Sequence, residues 1–145
     1  MPSLTQPIAL SALLAVLGMQ AAAADGIQVV SGVDEPVPVP SGQSVTLQDV
    51  IWNEPGPNGM TLRFRFIAPG IAPGGGVAFD DASADMQHLC DTYALPRLAE
   101  FGPAPEQIVI SLSDRAVPFG ESAPDVTQFF ESYRIENDVC VWEMF

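Results

Sequence analysis

Residues 60–66, Met-Thr-Leu-Arg-Phe-Arg-Phe, alternate strictly between apolar and polar side chains, and Ile67 ends the run. On an extended chain this sets Met60, Leu62, Phe64 and Phe66 on one face and Thr61, Arg63 and Arg65 on the other. A strand that is apolar on one face only must bury that face against a second layer, which constrains the whole chain. The stretch Gln107–Asp114 repeats the pattern with Ile108, Ile110 and Leu112. Val45–Trp52 alternates through Val45 and Leu47, breaks at Asp49 and resumes at Val50 and Trp52, the mark of a bulged strand. The turn composition of Glu54-Pro-Gly-Pro-Asn-Gly59 joins it to residues 60–67 as a hairpin. Thr127–Ile135 and Val139–Phe145 predict a terminal hairpin about Asn137-Asp138.

The covering layer is a helix. From Asp80 to about Phe101, Ala82, Met86, Leu89 and Tyr93 recur on one stripe with Cys90 at its edge. Asp80, Asp81 and Asp85 occupy the first turns, where the positive end of the helix dipole favours acids. Pro96 ends or kinks the helix, and Pro96–Phe101 forms a further short turn before Gly102 stops it. Pro69–Gly76 reads as a mobile linker: its glycines lack the Lys-Ser/Thr that follows a phosphate cradle and the spacing of a dinucleotide fingerprint. The expected fold is α+β, a mostly antiparallel sheet of about five strands with one main helix packed across it. Residues 34–44 hold too many prolines for a central strand, so residues 25–44 form an extended lead-in to a single domain at 45–145.

The beginning of the chain is read as an address. Residues 1–24 carry no charged side chain, Ile8–Leu17 is an apolar run, and Ala22-Ala23-Ala24 offers the small residues of a cleavage site. This is the layout of a secretory signal peptide, although its first residues lack Lys or Arg. The alternative, an uncleaved anchor, has too short a run for a membrane span, so no span is expected after cleavage. The expected location is the periplasm or the cell exterior. In an exported chain the two cysteines, Cys90 and Cys140, read as a disulfide. A redox pair or a shared metal site is the alternative, and the wide spacing is unlike a Cys-x-x-Cys motif. If they pair, Trp142 and Met144, on the face of Cys140, pack on the stripe holding Met86 and Tyr93.

Charge excludes several functions. Eighteen acids against five basic residues give a net charge of −13. All five cations are arginines, so no lysine is present for Schiff-base or P-loop chemistry. Such a surface repels nucleic-acid phosphates and anionic lipid, so neither is an expected partner. Asp81, Asp85 and His88, with Thr92, share a helix face and offer a weak metal candidate; an exposed polar face is the plainer reading. No Gly-x-Ser-x-Gly elbow supports a serine hydrolase, and no catalytic residue or cofactor is assigned. The candidate recognition surface is Arg63, Arg65, Asp114, Arg115, Phe119 and Gly120. Arg63 and Arg65 pair with acids across the sheet or contact an anion. Arg115 either presents a recognition loop with Pro118 and Gly120 or neutralises Asp114 and Glu121.

Several runs carry a family resemblance. They are Ile110-Ser-Leu-Ser-Asp-Arg115, Phe119-Gly120, Pro124-Asp125, Gln128-Phe-Phe-Glu131, Tyr133-Arg134 and Cys140-Val-Trp-Glu-Met-Phe145. Arg63-Phe-Arg-Phe66 before Ala68-Pro69, and Asp85-Met86 with Leu89-Cys90 before Leu95-Pro96, join them. Over most of residues 40–145 the chain resembles an uncharacterised family, a domain of unknown function, of short exported proteins from Gram-negative bacteria. Some members are labelled acetolactate synthase. This chain is far too short for a multi-domain thiamine-diphosphate enzyme and has no Gly-Asp-Gly motif. The resemblance implies export and a shared fold, and brings no catalytic residue. The favoured function is a non-enzymatic binding or interaction module for a periplasmic protein or envelope component. The alternatives are a small carboxylate-based hydrolase or lyase and a small-anion-binding regulator.

Overall fold

The computed structural model describes residues 2–3 and 26–144. The expected signal peptide, apart from residues 2–3, lies outside them. Six strands follow one another across a single sheet in chain order: β1 (Gln28–Pro36), β2 (Thr46–Gly56), β3 (Gly59–Ile67), β4 (Gln107–Ser113), β5 (Gln128–Glu136) and β6 (Val139–Glu143). All neighbours are antiparallel except β3 and β4. A parallel step needs a crossover, and residues 68–106 supply it with helix α1 (Phe79–Leu89). The fold is α+β, as the alternation predicts, with one helix across an open sheet.

One face of the sheet and the helix stripe make the core. Leu62, Phe64 and Phe66 of β3 meet Ile108, Ile110 and Leu112 of β4, all at most 2% exposed. Ala82, Met86, Leu89, Cys90 and Tyr93 close over them. Tyr93 sits edge-on to both Phe64 and Phe66, at 6.1 and 5.7 Å between ring centres. Cys90 and Cys140 form a disulfide with Cα atoms 6.1 Å apart, closing a separation of 50 residues. In the chain-entropy account a loop of this length is worth about 4 kcal/mol. Asn137 and Asp138, both left-handed at φ 50° and 60°, make the tight turn between β5 and β6.

The structure departs from the sequence reading in five places. The lead-in is not free: residues 28–36 form β1, an edge strand paired with β2, which raises the sheet from five strands to six. Pro36 is tolerated because it stands at the end of an edge strand. Next, the regular helix ends before Pro96. It widens to a π turn at Cys90–Ala94; the short turn expected after it then follows as a 3₁₀ helix at Leu95–Glu100, with Gly102 at φ 111° just beyond. The glycine run after Pro69 is also tied down, since the Val77 amide donates to the Gly70 carbonyl at 3.1 Å. Asp85 belongs to no exposed face: it is 0% exposed and receives hydrogen bonds from the Ser41 amide at 2.9 Å, the Ser41 hydroxyl at 2.5 Å and Gln43 Nε2 at 2.7 Å. Val37 and Val45, both buried, carry this loop back over the helix. Finally, Trp142 and Met144 do not pack on Met86 and Tyr93; they are 50% and 80% exposed. The disulfide places Cys140 against the helix flank, and the strand then runs on past the stripe.

The edge formed by β6 is managed by the helix. Asp91 Oδ1 accepts the Cys140 amide at 2.9 Å, and Gln87 Nε2 donates to the Cys140 carbonyl at 2.9 Å. Gln87 and Asp91 also bond each other at 3.0 Å, one helical turn apart. These contacts occupy backbone groups that would otherwise be open to another strand.

Candidate functional site

The sequence-derived recognition residues lie on the sheet face away from the helix and on the loop after β4. Arg65 is 8% exposed. Its guanidinium grips Asp49 through Nε to Oδ1 at 2.7 Å and Nη2 to Oδ2 at 2.6 Å, and Nη1 donates to the Val117 carbonyl at 3.0 Å. The Phe119 ring stacks with this guanidinium at 5.7 Å. Arg63 Nη2 pairs with Glu54 at 2.8 Å. Both arginines thus follow the cross-sheet pairing alternative, and the loop of residues 114–127 is strapped over Arg65. Gln48 Nε2 adds a bond to the same Val117 carbonyl at 2.8 Å.

The rest of that surface is less coherent. Asp114 stands at the end of β4, its amide donating to the Thr127 carbonyl at 3.0 Å. Arg115 has a side chain 60% exposed and approaches Asp114 only at 3.9 Å. Gly120 turns the strap at φ 83°, a conformation suited to glycine. Arg65 and Phe119 come together, whereas Arg63 and Arg115 serve separate contacts. For the metal candidate, Asp85 is saturated by Ser41 and Gln43. Among the described residues no group of three or more His, Cys, Asp or Glu side chains gathers where it could hold a metal ion.

Among the described residues the concavities include three that differ in character. A small one of about 150 Å³ lies between Trp52, Met60, Phe101 and Pro105. A second, about 460 Å³, runs between β1 and the 3₁₀ helix, where Arg97 stacks on Tyr93 at 3.7 Å and the Tyr93 hydroxyl donates to Glu35 at 3.0 Å. Burial, then the Glu35 carboxylate, raises the Tyr93 pKa above its ordinary 10.0.

The third is a groove of about 560 Å³ between α1 and the β5–β6 hairpin. One wall is helical, from Phe79 and Asp80 to Ala84 and Gln87, and the other comprises Glu131, Tyr133 and Trp142. Each wall has a local origin. Phe79 opens the helix and is fixed edge-on against Phe129 at 5.1 Å, which leaves it 51% exposed. Glu131 and Tyr133 alternate on the helix-facing side of β5, paired with Ile110 and Ile108. Trp142 stands opposite Tyr133 on β6 and its indole N–H donates to Glu131. Tyr133 is 1% exposed. Burial, followed by the charges of Glu131 and Asp91, holds its pKa well above the ordinary value, so the phenol stays neutral. None of the five arginines lines the groove.

Sequence reasoning missed this site. Phe79 and Trp142 are far apart in the chain, and only the hairpin register beside the helix brings them to one groove. The available signal was Gln128-Phe-Phe-Glu131 with Trp142, an excess of aromatics for one narrow hairpin.

Among the described residues no helix is long and apolar enough to cross a membrane. The model of a family of unknown function, DUF6497, matches residues 14–145. No curated protein and no solved structure matches the chain.

Proposed function

The chain belongs to the DUF6497 family of unknown function, and we propose that it is an exported, non-enzymatic interaction module that seats a partner protein in the groove between α1 and β5–β6. The observation that carries this reading is the half-exposed Trp142, oriented by Glu131 and standing across the groove from Phe79. Tryptophan is enriched where one protein anchors another, because its large ring buries much area at little entropic cost. Export to the periplasm of a Gram-negative cell, with residues 1–24 removed, is part of the same proposal. The intramolecular disulfide is compatible with such an oxidising compartment. The anion-binding alternative has less support, since Arg63 and Arg65 are committed to Glu54 and Asp49.

The test places a photoreactive benzoylphenylalanine at Ala84, an exposed position on the groove wall. The protein is cross-linked in the cells that make it. The expected result is one reproducible partner whose yield collapses in Trp142→Ala. No partner, or one captured equally by Trp142→Ala, overturns the reading.

A further inference from the structure

We infer that the segment seated in the α1/β5–β6 groove is basic, a Lys- or Arg-bearing stretch of the partner protein. This rests on the interaction reading above and adds the partner's chemistry. Asp80 and Glu131 place a carboxylate on each wall, and no arginine of the chain reaches the groove to neutralise them. With a net charge of −13 behind them, an anionic segment is repelled and a cationic one is drawn in.

Charge alone does not make a site; the aromatic side chains supply the shape. The indole N–H of Trp142 is engaged by Glu131, which holds the ring beside the carboxylate. An alkyl-ammonium or guanidinium laid on such a ring gains a cation–π contact while its charge faces the acid. The Tyr133 side chain is 1% exposed yet lines the groove. Its phenol oxygen can accept a hydrogen bond from a donor that arrives with the ligand. Guanidinium answers all three features, since it stacks on the ring, pairs with the carboxylate and has N–H groups left for the phenol oxygen.

The probe is a capped tetra-arginine peptide, titrated into the disulfide-bonded protein and followed through the two tryptophan indole N–H resonances. The Trp142 signal is expected to shift while Trp52, outside the groove, stays in place. The Asp80→Asn/Glu131→Gln double variant is expected to bind about tenfold more weakly. Glu121→Gln/Asp125→Asn removes two exposed acids from the 114–127 loop and is expected to change affinity less than about twofold. Equal weakening by both pairs, an equal Trp142 shift from tetra-glutamine, or no shift at all overturns the inference. A partner cross-linked from Ala84 through a stretch without Lys or Arg also overturns it, and leaves the interaction reading standing. Absence of any cross-linked partner removes both.

Discussion

Arg65 and Asp49 face each other across the β2–β3 ladder, joined by two parallel hydrogen bonds with only about one-tenth of either side chain exposed. The same guanidinium holds the 114–127 strap through Val117. Removing one partner of a buried pair strands the other charge, so Arg65→Ala is expected to cost about 3–5 kcal/mol in urea unfolding. Arg65→Lys keeps the charge but not the fork, and is expected to fall between the two. Arg134→Ala, which breaks a half-exposed pair with Glu136, should change stability by less than about 1 kcal/mol. Equal losses at the two arginines would contradict this assignment.

Asp85 fixes the loop between β1 and β2 to the helix. Truncation to Ala removes three hydrogen bonds to a carboxylate and leaves the Ser41 amide without its acceptor. The expected loss is about 3 kcal/mol, with faster amide exchange at residues 37–45. Had Asp85 belonged to a solvated helix face, Asp85→Ala would be nearly neutral.

Val33 carries a cost that can be relieved. It is β-branched and 83% exposed, and it sits at φ 49° in the irregularity between Ser31 and Glu35. Left-handed backbone costs such a residue on the order of 1 kcal/mol. Val33→Asn is therefore expected to raise the thermal midpoint, whereas Val30→Asn, on regular strand backbone, is not. A lower midpoint for Val33→Asn would refute the strain.

The two buried phenols set an alkaline limit. Both Tyr93 and Tyr133 hold their protons more tightly folded than at the ordinary pKa of 10.0. Above that pH the unfolded chain loses protons that the folded chain keeps, so ionisation favours unfolding. Their contribution is whole below pH 10 and drains away as the pH climbs past it. Urea midpoints measured from about pH 8 to 11 should fall at the alkaline end, and less steeply in Tyr133→Phe. An unchanged slope in that variant would dismiss Tyr133 as the source.

The legible parts of this fold were those set by local period. Alternation in residues 60–67 and 107–114 identified both central strands, the bulge at Asp49 was visible as a break in phase, and the two cysteines read as a pair. Properties set by a returning chain were hidden. Asp85 looks solvent-facing on a helical wheel until Ser41 folds back onto it. Arg65 looks like an outer-face charge until the 114–127 loop lies over it. The prolines near β1 argued against a strand because a sequence does not mark which strands are edges, where a missing N–H is harmless. The groove is a case of the same kind, since it exists only where two distant segments run side by side.

The parallel step between β3 and β4 divides the chain unequally with respect to its covalent tie. The disulfide joins the end of α1 to β6, so it lies wholly on the C-terminal side of residue 68. A protease nick in the turn at 101–106 would leave two fragments that stay together on a non-reducing gel. A nick at 72–76 would release β1–β3 as a separate band once denatured. In solution that piece would be retained by the β3–β4 ladder, by Ser41 and Gln43 on Asp85, by the Arg65–Val117 bond and by its share of the core.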